Sequence, residues 1–463
     1  MAIDSQLSAK LTAAGEQELL HYLQAASPQT ADQLGAQLAA VDFDEIAAAL
    51  RKKEEATAAP LQMDSPPAIR LQDVAPRINQ ADAIAAGERL LAEGKVAALL
   101  VAGGQGTRLG FDHPKGMFPI GPVTERTLFQ IFVEKLIARG RRYGAAIPLY
   151  LMTSPATHDE TVSFFAANGN FGLPDSQLKI FCQGTMPAVD AATGKLLLAQ
   201  PNQLALSPDG HGGTLAALVN SGCLADMRQR GLEEIYYFQV DNPLADVCEP
   251  LFLGYHHVSG SEMSTQVVAK RRPEEKVGVL VEVDGKLRLV EYSELSDELA
   301  AETTADGSLK YWAGNIAIHG LNVDFLTRMS TDADSLPWHL ANKKVPYCTL
   351  QGDQIEPTEP NGVKFERFIF DLLPHAQNAI VVEILPETTF APVKNADGAP
   401  SDTPAAARDA LTAIYAKWLA DSGVKVEPNV PLEISPLFAL DADELQSKVE
   451  GMSPIVEPTV LSD

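Results

Sequence analysis

Apolar positions along the first 55 residues recur at intervals of three and four: Leu7 and Leu11, then Leu19, Leu20 and Leu23, then Leu34 and Leu38, then Ile46 and Leu50. That spacing gathers each set on one face of a helix, so the pattern predicts a series of short amphipathic helices. Ser27-Pro28-Gln29-Thr30 is a natural break within the series. From Glu54 to Pro76 the chain turns to Ala, Pro and charge, which reads as a connecting segment. A helical N-terminal region over residues 1–85 is expected.

From Lys95 the pattern changes to short apolar runs alternating with helical stretches. VAALLVAGG precedes the helical TLFQIFVEKLIARG, and IPLYLMTS leads to a helix start at Ser154-Pro155. KIFCQ and IYYFQVDN continue the series, with the helical TLAALVNSGCLADMRQRG between them. Alternation of this kind predicts an α/β fold, and apolar runs without a period of two predict parallel strands buried on both faces. VGVLVEVDGKLRLVEY differs, because two alternating strands flank Asp284-Gly285, a pair suited to a type I′ hairpin turn. The expected result is a doubly wound, mostly parallel sheet with some antiparallel structure, forming a catalytic domain over residues 86–385. Beyond it, a Pro- and Asp-rich text with one helix, AAARDALTAIYAKWLAD, and β-like pieces such as VKVEPNV predicts a small C-terminal subdomain over 386–463.

Composition narrows the function. Apolar residues make up 46% of the 463, enough for a large core and more than one domain. The formal charge is −25, from 61 acidic and 36 basic residues. Such a field repels nucleic acid and anionic membranes, so neither is an expected partner. Cys182, Cys223, Cys248 and Cys348 lie far apart without a C-x-x-C pair. Neither zinc nor a disulfide scaffold is expected, and reduced thiols suit a cytoplasmic protein. The segment MAIDSQLSAK lacks the basic and apolar regions of a secretory signal, and no run approaches the ~18 apolar residues of a membrane span.

An acidic chain that binds anions must gather cations locally, so a basic residue beside a Gly-rich loop is informative. The clearest such place is LLVAGGQGTRLG, residues 99–110, followed by Pro114-Lys115-Gly116. Glycines at the end of a buried strand let backbone N–H groups converge on a phosphate or the edge of a base, and Arg108 and Lys115 add charge. The loop fits neither G-x-x-x-x-G-K-[ST] nor G-x-G-x-x-G. An NAD-dependent oxidoreductase, which needs the second pattern, is thereby disfavoured. Asp241 follows the run IYYFQV, which places a carboxylate at the carboxyl end of a strand, where open α/β sheets bind ligands.

With these residues in view, the sequence resembles the UDP-sugar pyrophosphorylases, most closely their UDP-N-acetylglucosamine branch. The resemblance is carried in order by VAGGQGTRLGFDHPKGMF, PDGHGG, QVDNPLADV, VGVLVEVDG, EYSELS, AGNIAIH, NGVKFERFIFD and APVKNADG, and covers roughly Val96 to Asp409. It implies a Rossmann-like nucleotidyltransferase fold of the glycosyltransferase-A type. It also implies a uridylyltransferase that makes a UDP-sugar and pyrophosphate from UTP and a sugar 1-phosphate, most closely N-acetylglucosamine 1-phosphate. Two polyanions must meet in that reaction, so positioning and positive charge are the main tools.

By the same resemblance, Ala102, Gly103 and Gly104 hold the nucleotide, Gln183 and Gly210 contact the uridine, and Arg108 and Lys115 are catalytic cations on the triphosphate. Lys364 and Lys394 match lysines that bind UTP phosphates, and Asp241 is the ligand of a Mg²⁺ cofactor. Gly278, Glu291, Tyr292 and Asn315 match the sugar-binding positions. His211 falls beside them in PDGHGG, where the N-acetylglucosamine enzymes read PDGNGG and the UDP-glucose enzymes carry Gly-His-Gly. This departure keeps a UTP–glucose-1-phosphate uridylyltransferase, or an enzyme of broad sugar range, as the alternative. A non-catalytic sugar-nucleotide-binding protein is the other alternative, against which the joint presence of Arg108, Lys115 and Asp241 argues. His158, His256, His257 and His375 are assigned no chemistry.

Overall fold

The computed structural model describes residues 4–55, 62–73, 78–332 and 335–462, and the chain divides into two compact units. The smaller is assembled from Met1–Leu61, Gln183–Ala216 and Asp334–Asp371. Its first stretch forms the helices that the leucine spacing predicts: α1 (Ser5–Ala13), α2 (Gln17–Ala25), α3 (Pro28–Ala40) and α4 (Phe43–Glu55). The break at Ser27 is a helix cap. Its hydroxyl accepts the Thr30 N–H at 3.2 Å, and Pro28 occupies the first turn, where its missing N–H costs nothing. Helices this short are marginal alone, so their apolar faces must find a partner. Leu11, Leu34 and Leu38, all fully buried, share one core with Met186, Val189, Leu198, Leu204, Val363 and Phe365 from the later stretches. Those residues belong to three small antiparallel sheets, one of which joins His339–Lys343, Gly362–Glu366 and Val189–Asp190. This shared core draws Gln183–Ala216 and Asp334–Asp371 into one compact unit with the N-terminal helices.

The larger unit comprises Gln62–Cys182, Ala217–Ala333 and Leu372–Asp463. Its ten-stranded sheet contains β1 (Ala68–Ile69), β2 (Val96–Val101), β3 (Leu149–Thr153), β4 (Leu178–Cys182), β5 (Glu234–Gln239), β6 (Met263–Ala269), β7 (Val279–Val283), β8 (Lys286–Val290), β9 (Ala313–Asn322) and β10 (Ile380–Glu383). The order is β1-β10-β6-β9-β5-β2-β3-β4, and the β7–β8 hairpin attaches to β9. All neighbours in the main row are parallel except β9, which runs antiparallel between β5 and β6. The mixed, mostly parallel α/β architecture is thus as the alternating pattern predicts. β2 and β5 are buried along almost their whole length, whereas β4, at the sheet edge, is buried only at Phe181. The β7–β8 turn has φ of 52° at Asp284 and 72° at Gly285, both positive as a type I′ turn requires.

Three local expectations change. The helix expected over residues 214–231 is two, α8 (Thr214–Asn220) and α9 (Cys223–Gln229), separated where Gly222 takes φ of 75°. The helix expected at Ser154-Pro155 begins only at His158, because Ser154 to Thr157 closes a turn through the Thr157 N–H on the Ser154 carbonyl at 2.9 Å. VKVEPNV contributes one bridge residue, Val426, since Pro428 removes a donor a ladder needs. The C-terminal strand is instead Leu432–Ile434, paired in parallel with Thr459–Leu461. Part of the expected connector, residues 56–61 and 74–77, lies outside the described residues. The stretch between them is docked: Met63 is buried, and its carbonyl accepts the Tyr311 hydroxyl at 3.1 Å. Among the described residues no helix is long and apolar enough to cross a membrane.

Candidate active site

The parallel register of β2 and β5 places the first site residues side by side. Val101 pairs with Gln239, and the Val240 N–H donates to the Val101 carbonyl at 3.1 Å. Gly103 and Asp241 each lie two residues beyond that pair, at the carboxyl edge of the sheet. Ala102 is fully buried as the last anchor of β2, its N–H on the Met152 carbonyl at 2.8 Å. The Gly103 carbonyl accepts the Ser154 hydroxyl at 2.7 Å, and Gln105 Nε2 donates to the Ala156 carbonyl at 2.9 Å. The glycine loop is therefore fastened to the turn after β3.

The glycines in this loop differ in what they do. A Cβ at Gly106 would press on Phe111, and one at Gly116 would overlap the Phe129 ring, so both are required by packing. A Cβ at Gly104 meets nothing within 4 Å. Its small size is not demanded by the protein, which leaves an exposed backbone open to a ligand. The excursion from Gly104 to Lys115 closes on itself: the Gly106 N–H donates to the His113 carbonyl at 2.9 Å and the Lys115 N–H to the Gly104 carbonyl at 3.0 Å. Eleven residues of sequence separation thus shrink to one hydrogen bond, and Lys115 stands beside the loop.

Three of the four cations expected around the triphosphate meet there. Burial pushes the Lys115 ammonium below the ordinary lysine range; nearby Asp241 opposes this, while Arg108 and Lys394 add to it. Lys394 reaches this place because the chain before it docks on the Asp241 turn. The Val393 N–H donates to the Asp241 carbonyl at 2.8 Å, Asn242 Nδ2 to the Thr389 carbonyl at 2.8 Å, and the Ala391 N–H to Asn242 Oδ1 at 3.1 Å.

Asp402, which the sequence reading did not single out, joins the cluster. Its carbonyl accepts the N–H groups of Lys394 and Asn395 at 2.8 and 3.0 Å. Burial raises its carboxyl above the usual range, with Lys394 opposing and Asp241 adding to the shift. Nothing in the text Ser401-Asp402-Thr403-Pro404 marks it, since an Asp before Thr-Pro reads as a helix start.

A second group forms at the start of β9, which runs antiparallel to β5 and so begins at the edge where β5 ends. The Asn315 N–H donates to the Gly278 carbonyl at 2.9 Å, and Asn315 Oδ1 accepts the Ala317 N–H at 3.0 Å. Ala317 has φ of 59° at a bulge that shifts the β6–β9 register. A Cβ on Gly278 would stand 3.2 Å from Glu291 Oε1. Gly278, Glu291 and Asn315 therefore share one corner, and Tyr292, the next residue, is exposed.

The remaining candidates belong to the smaller unit. Gln183 Nε2 donates to Asp209 Oδ1 at 3.0 Å and to the Gly210 carbonyl at 3.2 Å. Gly210 has φ of 80° and abuts the Arg367 backbone, as does Gly212. His211 Nδ1 accepts the Ile369 N–H at 3.2 Å, and its ring lies 5.2 Å from that of Phe368. Burial pushes this imidazole down to about 4, so it is neutral at physiological pH, with Nε2 carrying the proton. Lys364, half-buried, lies on the strand Gly362–Glu366, opposite Ala341.

His256 and His257, assigned no chemistry, have a structural partner. Both rings bond the buried Glu234 at the opening of β5, at 2.9 and 3.2 Å. Burial alone would raise the Glu234 carboxyl, but the two histidine bonds outweigh it and hold it at about 2. Of the four cysteines, Cys223, Cys248 and Cys348 are buried, and none of the four forms a disulfide.

The chain matches a model of the family described as UTP--glucose-1-phosphate uridylyltransferase over residues 43–452. It is 35% identical to the Homo sapiens UDP-N-acetylhexosamine pyrophosphorylase-like protein 1, covering 98% of this chain and 97% of that one. It is 38% identical to the Saccharomyces cerevisiae UDP-N-acetylglucosamine pyrophosphorylase over 80% of each chain. Among solved structures, the UDP-N-acetylglucosamine pyrophosphorylase of Trypanosoma brucei superposes with a TM-score of 0.85 at 28% identity, covering 100% of this chain and 99% of that one.

Proposed function

Because the chain belongs to the UTP--glucose-1-phosphate uridylyltransferase family of nucleotidyltransferases, we propose that it joins UTP to N-acetylglucosamine 1-phosphate, releasing pyrophosphate and UDP-N-acetylglucosamine. The observation that carries this reading is the meeting of Arg108, Lys115 and Lys394 with Asp241 at the carboxyl edge of the sheet. In a molecule of net charge −25, such a concentration of cations has a use only for a polyanion.

The sugar phosphate oxygen attacks the α-phosphorus of UTP, and the bond to pyrophosphate breaks. Lys115 and Arg108 neutralise charge as it develops on the phosphates, and Lys394 holds the triphosphate against the Asp241 turn. The open backbone at Gly104 receives the nucleotide. By the family resemblance alone, Gln183 and Gly210 match uridine-contacting positions and Lys364 a phosphate-binding one. Gly278, Glu291, Tyr292 and Asn315 hold the sugar.

Asp241 fits a Mg²⁺ ligand. Among the described residues there is no group of three or more His, Cys, Asp or Glu that could hold a metal. Mg²⁺ needs no such group, since it takes one or two carboxylates and fills its shell with phosphate oxygens and water. Asp241, with Asp402 close by, supplies that number. When bound at Asp241, the ion would supply positive charge that offsets that of the phosphates.

The glucose alternative rests on His211. Its ring is accounted for locally by the Ile369 N–H and Phe368, and the relatives compared here are named for N-acetylhexosamine or N-acetylglucosamine. Pyrophosphate release measured with UTP, Mg²⁺ and a panel of hexose 1-phosphates tests the reading. Turnover highest with N-acetylglucosamine 1-phosphate supports it; preference for glucose 1-phosphate overturns the sugar, and no turnover with any sugar overturns the activity.

A further inference from the structure

Helix α6 (Leu128–Tyr143), which follows the glycine loop, touches both halves of the cation–carboxylate cluster. At its first turn, the Leu128 N–H donates to the Phe118 carbonyl at 3.1 Å, and Phe129 lies on Gly116, one residue from Lys115. Two turns further on, Lys135 Nζ donates to the carbonyls of Pro243 and Ala245, both at 2.8 Å. These carbonyls belong to the turn that begins at Asp241. One more turn along, Arg139 pairs with Asp246, the residue that follows Ala245.

The other side of the turn is held by the segment from Thr389 to Val393. That leaves the face toward α6 to Lys135 and Arg139, and of these two it is Lys135 that bonds the backbone of the turn. An ammonium suits this task, because two carbonyl oxygens can share one compact point charge. Burial pushes Lys135 down to about 8, Asp246 opposing and Arg139 adding, so the brace is charged at neutral pH.

We propose that Lys135 is a positioning residue for the metal-binding carboxylate: by tying the Pro243 and Ala245 carbonyls to α6, it fixes Asp241 relative to Lys115, which the same helix supports through Phe129. It touches neither substrate nor metal and acts through Asp241. The inference rests on the function proposed above. Loss of the brace lets the turn relax, so Asp241 meets the Mg²⁺–triphosphate less often in the productive place, while Lys115 and the nucleotide loop are untouched. Partners of this kind typically carry a tenfold or larger effect on metal affinity or activity.

The test compares wild-type protein with Lys135→Met and Lys135→Gln, the second keeping two N–H donors without the charge. Three quantities are read: the Mg²⁺ concentration for half-maximal rate, kcat against KM for UTP, and calorimetric binding of UTP with and without Mg²⁺. For Lys135→Met the expected result is about a tenfold rise in the Mg²⁺ requirement and a lower kcat. The contribution of Mg²⁺ to UTP binding should shrink, with metal-free UTP binding and KM little changed. Lys135→Gln should fall between the two, and it stands in for the first variant should that one not fold. A variant that folds and keeps the wild-type Mg²⁺ requirement overturns the role of Lys135 alone. Loss of UTP binding with and without Mg²⁺ in equal measure also overturns it, by making the effect a general structural one. Absence of Mg²⁺-dependent turnover in the wild-type protein overturns the proposed function itself and this role with it.

Discussion

Gly116 lies directly against the ring of Phe129, so closely that a Cβ at position 116 would overlap three of the ring carbons. The contact joins the turn carrying Lys115 to helix α6. Gly116→Ala is therefore expected to cost about 1–3 kcal/mol of stability through overpacking. It should also lower kcat more than it raises KM, because Lys115 is displaced. Urea unfolding checks the first effect, and an unchanged midpoint would contradict the packing argument.

Lys115 carries the transition-state charge in the proposed reaction. Lys115→Ala should reduce kcat by about 10²-fold, the usual loss on removing one preorganised donor. Because burial lowers the Lys115 ammonium, its charge is lost at a lower pH than that of a free lysine. The alkaline fall in kcat/KM should accordingly move upward in Lys115→Arg, since a guanidinium stays charged. Profiles over the alkaline range that coincide for the two proteins would remove Lys115 from the chemistry.

Asp241→Asn keeps the size of the side chain and removes the charge that Mg²⁺ requires. Activation by Mg²⁺ should be lost and turnover should fall by about 10²-fold or more. The Val393 N–H bonds the Asp241 backbone carbonyl, so the fold should persist. Circular dichroism together with Mg²⁺ titration of the rate separates the two effects. A variant still fully activated by Mg²⁺ places the metal elsewhere.

The Glu234–His257 pair makes stability depend on pH in a defined window. His257 is raised above 6.5, chiefly by its hydrogen bond to Glu234, so its contribution is complete below 6.5 and is lost as pH rises through the raised value. Glu234 is lowered from 4.5 to about 2, so its contribution is present above 4.5 and disappears as pH falls toward 2. The loss of stability in His257→Ala should then be greatest between pH 4.5 and 6.5 and shrink toward pH 9. Its size is expected to be at most about 1 kcal/mol, since the ring is a third exposed and screened by solvent. Melting curves of the two proteins across this range provide the check, and a difference independent of pH would refute the ion pair.

Much of the secondary structure was legible because local patterns sufficed for it. The leucine spacing of residues 7–38 marks α1 to α3, and the apolar runs VAALLV and EIYYFQ mark β2 and β5. Asp284-Gly285 marks its own turn, since only residues tolerant of positive φ suit both positions. The misreadings also have local causes: Gly222 divides one expected helix, and Pro428 stops one expected strand. The division into two compact units was invisible for a different reason. Nothing in Leu11 or Leu38 says that it shares a core with Phe365, because the burial of an apolar face depends on which distant strand arrives there.

The same division holds at the site. Gly104, Arg108, Lys115 and Asp241 stand out in the sequence, since a glycine loop and a carboxylate at strand ends have recognisable neighbours in the chain. Asp402 and Lys135 do not, because each acquires its role from residues more than a hundred positions away: Asp402 from Asp241, and Lys135 from the carbonyls of Pro243 and Ala245. Short-range periodicity was enough to specify most of the elements, and the ordered motifs that carry the family resemblance implied the kind of chemistry. The pairing of strands at one edge, and the hydrogen bonds that brace it, were decided only by tertiary folding, because a backbone carbonyl has no identity in sequence until the fold determines what stands opposite it.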